Sequence, residues 1–271
     1  MQPNAHAFLT TATQRLQTAG IETARLDSLI LLEDATGQNR AQLLAHPELP
    51  LTNTQQHTLE SQLLQREKHI PLAYLRQKAF FYGREFAVNQ HVLVPRPETE
   101  AMIDIVKSLP LTKPRIVDIG TGSGCIAITV ALELPAADVA AYDVDSQALA
   151  VARGNAATLH APVSFGTSNL LTAVPQSYDI LLANLPYVPD DFPINEAACH
   201  EPALALFAGK DGLDCYGMLY GQLTAYAAPM RPRYILTESL MTQHDQLRAI
   251  AKPAGYTERV VQGLIQLFEQ V

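Results

Sequence analysis

The stretch Arg115-Ile116-Val117-Asp118-Ile119-Gly120-Thr121-Gly122-Ser123-Gly124 decides the fold. Its first half reads as a short buried strand, and its second half is a glycine turn opening into the helical pattern Cys125 to Leu132. Glycines at alternate positions let the chain turn tightly and let its backbone come close to a ligand. A second apolar run, Val139 to Tyr142, follows the helix and ends in Asp143. Asp143 thus stands about 20 residues beyond the turn, the distance at which open α/β sheets place a ribose-binding acid. The pattern is G-x-G-x-G, not the G-x-G-x-x-G of nicotinamide enzymes, and so favours a mononucleoside over a dinucleotide. Taken singly, the glycines also suit a plain strand-to-helix turn, and Asp143 a solvated strand end.

Further along, the apolar run Tyr178 to Ala183 delivers Asn184-Leu185-Pro186-Tyr187 to a strand end. A planar nitrogen, whether amide or exocyclic amine, shares its lone pair with a neighbouring carbonyl or ring. It attacks a methyl sulfonium only when that conjugation is weakened. The Asn184 side-chain carbonyl and the Pro186 backbone carbonyl supply two acceptors for its N–H groups, so no strong base is required. Tyr187 offers a ring to cover the planar group and fix its approach. Asn and Pro are also ordinary turn residues. With the glycine turn upstream, the pair of motifs points to S-adenosylmethionine as methyl donor. If strand order reverses between the strands that end at Gly120 and Asn184, their sites become neighbours.

The 271 residues exceed one average domain, which is about 100–200 residues, and two domains are expected. At 48% hydrophobic and 17% charged the chain is globular, and a formal charge of −8 argues against a basic surface that tracks nucleic acid. No run approaches the ~20 apolar residues of a membrane span, Met1 to Thr10 has no leader pattern, and a cytoplasmic location is expected. Cys125, Cys199 and Cys215 form no close pair and the histidines are scattered, so no metal site is expected.

Composition changes near Phe80. Before it, helices are expected at Ala5 to Ala19, Arg25 to Thr36 and Asn53 to Lys68, with Gly20 and Gly37 as stop signals. Lys78 to Val88 reads as a hairpin turning at Tyr82-Gly83, and Glu98 to Leu109 as a helix. From Arg115 strands alternate with helices, the pattern of a mostly parallel sheet covered on both faces, and Thr257 to Val261 with Leu264 to Glu269 reads as a closing hairpin. The expected division is a helical domain over residues 1–76, a hairpin linker over 77–95 and an α/β sheet domain over 96–271.

Pro95-Arg96-Pro97-Glu98-Thr99-Glu100, the glycine turn, Asn184 to Tyr187, and Glu201-Pro202 leading to Gly209 through Leu213 stand in the order found in the PrmC/HemK release factor glutamine methyltransferases. Ala24 to Asp27 and Pro71 to Leu75 also resemble theirs, so the likeness spans nearly the whole chain. The resemblance implies a class I, Rossmann-like methyltransferase sheet behind a small all-α domain that helps recognise the release factor. It implies methyl transfer from S-adenosylmethionine to the side-chain amide of glutamine in the Gly-Gly-Gln loop of peptide chain release factors. Gly120, Thr121, Gly122, Ser123 and Gly124 would wrap the methionine part and Asp143 the ribose. Asn169-Leu170 would meet adenine, and Asn184 to Tyr187 would hold the glutamine. The enzyme is expected to act as a monomer.

Three positions depart from the family pattern. Leu185 replaces a proline, restoring an N–H that needs a partner. Asn169 replaces an acid, and the closing hairpin lacks the usual Asp- and Arg-containing segment. Arg96 and Glu98 read either as braces of the acceptor pocket or as a helix start. Glu201 reads as an orienting acid bonded to the loop after Tyr187 or as a solvated one. His200 is expected at the surface, and Cys125 in packing. Two other functions use the same motifs: an N6-adenine methyltransferase acting on DNA or RNA, and a non-catalytic interaction protein that binds the cofactor.

Overall fold

The Arg115–Ile119 run forms an inner strand, third from one edge, of a seven-stranded sheet. In the computed structural model, which describes residues 4–175 and 177–271, nine strands occur among those residues. In chain order they are β1 (Lys78–Phe81), β2 (Arg84–Ala87), β3 (Arg115–Ile119), β4 (Asp138–Asp143), β5 (Val163–Thr167), β6 (Ile180–Ala183), β7 (Tyr234–Glu238), β8 (Tyr256–Gln262) and β9 (Ile265–Gln270). The first two pair as a separate hairpin, and the others lie in the order β5-β4-β3-β6-β7-β9-β8. All neighbours run parallel except β9, which is antiparallel to both β7 and β8. The order therefore reverses between β3 and β6, the strands that end at Gly120 and Asn184.

Alternation along the strands divides the core into two faces. Ile116, Ile180, Leu182, Leu236 and Leu267 share one cluster with the helices Glu100–Ser108 and Cys125–Glu133. Val117, Leu181, Ala183, Ile235 and Phe268 share the other with the helices Asp214–Thr224 and His244–Ala251. Strands buried on both faces read as nearly continuous apolar runs, which is why β6 and, apart from Asp118, β3 are visible in the sequence.

The chain divides into two units: residues up to Gln77 together with Asn195–His200, and Lys78–Ile194 with Glu201–Val271. Phe81 and Phe86 of the β1–β2 hairpin lie in the core of the larger unit, so the hairpin is part of it. It turns through Tyr82 (φ 49°) and Gly83 (φ 73°), the two positive φ values that a two-residue turn matched to strand twist demands. The smaller unit contains the helices Ala5–Thr18, Ala24–Thr36, Arg40–Ala45, Asn53–Arg66 and Leu72–Arg76. It has two apolar clusters, around Leu31 and Leu59 and around Leu16 and Leu63, and a buried ion pair at 2.7 Å links Asp27 of the second of these helices to Arg66 of the fourth. Removing one partner of such a pair strands a charge and costs about 3–5 kcal/mol. Among the described residues no helix is long and apolar enough to cross a membrane, and no group of His, Cys, Asp or Glu could hold a metal ion.

Candidate functional site

Register sets the site. Ile119 of β3 pairs with Ala183 of β6, so Gly120 and Asn184 leave the sheet side by side. A cavity of about 350 Å³ opens there, lined by Gly120 through Ser123, Asp143, Asn169, Leu170, Asn184, Leu185 and Pro186. Gly124 and Tyr187 are outside its lining.

The glycine loop is held by its neighbour strand, because Gly120 and Thr121 both donate to the Tyr142 carbonyl, at 2.8 and 3.0 Å. Gly122 has φ 54°, and a Cβ built on it meets nothing within 4 Å. Its bare backbone therefore faces open cavity. Gly124 has another purpose: a Cβ there would stand 2.8 Å from Ile128 and 3.1 Å from Ala152, so this glycine permits helix packing. Asp143 is buried and pinned, with Oδ2 accepting from Gly122 N–H and Oδ1 from Asp145 N–H, both at 2.9 Å. Burial raises its pKa while these backbone donors lower it. Each oxygen retains a second lone pair for a ligand hydroxyl. Beneath the loop Asp118 is fully buried and accepts from Thr121 Oγ1 at 2.6 Å, and burial pushes its carboxyl up to about 7.

These features fit S-adenosylmethionine: exposed glycine backbone, a fixed carboxylate with free lone pairs for vicinal hydroxyls, and the apolar side chain of Leu170 beside the exposed Asn169. Burial pushes the Cys125 thiol up to about 12, which suits packing and not nucleophilic work.

On the acceptor side the N–H restored by Leu185 finds its partner in Tyr216 Oη at 3.3 Å. That hydroxyl donates to the Glu238 carbonyl at 2.6 Å and lies 3.0 Å from the carbonyl of Ala183. Asn184 Nδ2 donates to Thr99 Oγ1 at 3.2 Å. The Tyr187 hydroxyl donates to Glu238 Oε1 at 3.0 Å, and its carbonyl accepts from Gln243 Nε2 at 2.8 Å. Burial, followed by the nearby Glu238 charge, raises the Tyr187 pKa, so Tyr187 stays a donor. Gln243 also donates to Asp211, and a Cβ on Gly212 would stand 2.2 Å from the Tyr187 carbonyl. Only glycine fits against the motif at that point.

Glu201 corrects an expectation. It does not bond the loop after Tyr187: its oxygens accept from Val94 N–H at 3.0 Å and Arg96 Nη2 at 2.5 Å, which ties down the Pro95 segment. Arg96 and Thr99 line the cavity and Glu98 does not. His200 lies exposed, 2.8 Å from the Lys68 carbonyl. Tyr216, Glu238 and Gln243 support the site yet go unmarked in the sequence, and Thr99 appears there only within the Pro95 to Glu100 motif, since nothing near them signals a partner tens of positions away or a buried carboxyl.

A seven-stranded doubly wound sheet with a glycine loop and tetrapeptide at its reversal defines a class I S-adenosylmethionine-dependent methyltransferase. The PrmC N-terminal domain family model matches residues 7–76, and the methyltransferase small domain model matches residues 98–200. A release factor glutamine methyltransferase of Koribacter versatilis is 36% identical, covering 80% of this chain and 80% of its own. One from Coxiella burnetii is 34% identical over 91% of this chain and 89% of its own. The chain belongs to the release factor glutamine methyltransferase family. The hMettl16 catalytic domain, solved in complex with a MAT2A 3′UTR hairpin, superposes with a TM-score of 0.55 at 18% identity, covering 81% of this chain and 82% of that one. That likeness shows the fold alone.

Proposed function

We propose that this protein methylates the side-chain amide nitrogen of glutamine in the Gly-Gly-Gln motif of peptide chain release factors. The observation that carries the reading is the register of β3 and β6, which brings the glycine loop and Asn184-Leu185-Pro186 to one cavity in a chain of this family. S-adenosylmethionine, when bound, supplies an electrophilic methyl group on a sulfonium. The backbone of Gly120 to Ser123, the Asp143 carboxylate, Asn169 and Leu170 would hold it, by the fit described above, while Gly124 lets the following helix pack close.

Asn184 Oδ1 and the Pro186 carbonyl accept the two N–H bonds of the glutamine amide. This localises the nitrogen lone pair and orients it for attack, so no general base is needed at that step. The Tyr187 ring, tethered at its hydroxyl by Glu238, flanks the planar amide. The proton released after transfer passes to water. The helical unit contributes to recognition of the release factor. A formal charge of −8 supports a protein acceptor over a nucleic acid backbone.

The test is incubation with methyl-labelled S-adenosylmethionine and, separately, a release factor, the same factor with its motif glutamine changed to alanine, DNA and RNA. Label is expected on the intact factor alone, and peptide mass mapping should find the added methyl on the motif glutamine. Label on nucleic acid and not on the factor overturns the proposal.

A further inference from the structure

Glu238 closes β7 with 1% of its surface exposed. Oε1 accepts from Tyr187, and Oε2 is buried without a hydrogen-bond partner among the described residues. An ionisable group so deep is costly to retain unless it serves a neighbour. Its neighbours are those of the acceptor motif. Ala183 of β6 pairs with Thr237 of β7, so Asn184 and Glu238 follow side by side at the strand ends; burial raises the Glu238 pKa, and Thr99, Tyr187 and Asn184 oppose that by favouring the charged form.

The chemistry of these groups has a direction. A carboxylate only accepts, an amide nitrogen only donates, an amide oxygen only accepts, and a hydroxyl does one of each. A carboxylate beside this pair favours the Thr99 hydroxyl with its proton turned towards it. Thr99 Oγ1 is then left to accept from Asn184 Nδ2, which is the bond observed at 3.2 Å. Both preferences direct the Asn184 amino group inward and leave Oδ1 for the cavity that Asn184 lines.

Resting on the methyl-transfer reading above, we propose that Glu238 is a positioning residue: through Thr99 it fixes which end of the Asn184 amide faces the acceptor, and it tethers Tyr187 directly. A flipped Asn184 would present N–H groups to the N–H groups of the incoming glutamine and repel them. The carboxylate excludes that arrangement, whereas an amide at the same position, able to donate as well as accept, permits both.

The experiment compares the full-length wild type with Glu238→Gln, Thr99→Val and Thr99→Ser. The first readout is the side-chain amide resonance pair of Asn184 in nitrogen-15 spectra of the protein without substrate. The second is the kinetics of release factor methylation, and the third is the affinity for S-adenosylhomocysteine by calorimetry. Glu238→Gln and Thr99→Val are expected to move the Asn184 resonances and lower kcat/KM for the release factor about tenfold, the size of one lost hydrogen bond. Cofactor-product affinity should hold, and Thr99→Ser should recover most of what Thr99→Val loses. Unmoved Asn184 resonances in both variants, or an equal loss of cofactor affinity, overturns the inference. Absence of transfer by the wild type would instead overturn the proposed function, and the resonances would still decide how Asn184 is held.

Discussion

Gly120 to Ser123 and Asn184 to Pro186 line the same cavity but draw on different distances of chain. The loop takes its partners from Tyr142, Asp143 and Thr121, all close in sequence. Asn184 to Tyr187 are held by Thr99, Tyr216, Glu238 and Gln243, which belong to four separate elements. A local site depends on one supersecondary unit, whereas a dispersed one depends on the whole sheet being assembled. Damage to the first should therefore appear in binding, and damage to the second in turnover.

Asn184→Ala is expected to have the largest effect, a fall in kcat of about a hundredfold or more, the scale of a lost transition-state hydrogen bond. Calorimetry should find affinity for S-adenosylhomocysteine unchanged, and a matching loss of affinity would erase the contrast between the two halves. Asp143→Ala should do the reverse. Its dissociation constant should rise about tenfold or more, as for a lost bond to a charged group, with kcat at saturation retained.

Asp118→Asn sharpens the comparison through pH. Burial raises the folded carboxyl to about 7, above the unfolded value of about 4. Between those values the folded state binds more protons than the unfolded one. The stability this group contributes is thus full below the unfolded value and declines as pH rises through the folded one. Thermal melts should show the variant gaining on the wild type as pH rises across that window, and parallel curves would show that Asp118 titrates normally.

The smallest effect belongs to Leu185→Pro, which removes the long bond to Tyr216 while that hydroxyl keeps its carbonyl partners. Release factor kcat/KM should change less than about threefold, within the lower range for one weak hydrogen bond. A larger loss would mean that the acceptor loop is set chiefly by Tyr216.

Legibility follows the same contrast. The β3 run, the loop glycines and Asp143 can be read because apolar runs and alternate glycines are local patterns. The closing hairpin reads within a residue or two of β8 and β9 for the same reason. Arg40–Ala45 and Leu72–Arg76 escape because helices of six and five residues are too short to show a period. The expected helix start at Glu98 is instead a 3-10 turn, Pro97–Thr99, ahead of Glu100–Ser108. Glu238 reads as an ordinary strand end, and only its enclosure between β6, β9 and the 214–224 helix makes its carboxyl notable. Neither reading of Glu201, as an acid bonded to the loop after Tyr187 or as a solvated one, describes its place, because a carboxylate's position in the chain does not say which backbone donor will reach it. The amide that does so belongs to Val94, 107 positions upstream.

The parallel ladder between β3 and β6 works as a ruler. Neighbouring strands stand about 4.8 Å apart, and changing that interval means breaking main-chain bonds in the middle of the core. The span between donor and recipient loops is thus calibrated by peptide geometry, indifferent to which side chains decorate either end. Evolution can rewrite the segment beyond Tyr187 to greet a new client and leave the gauge untouched.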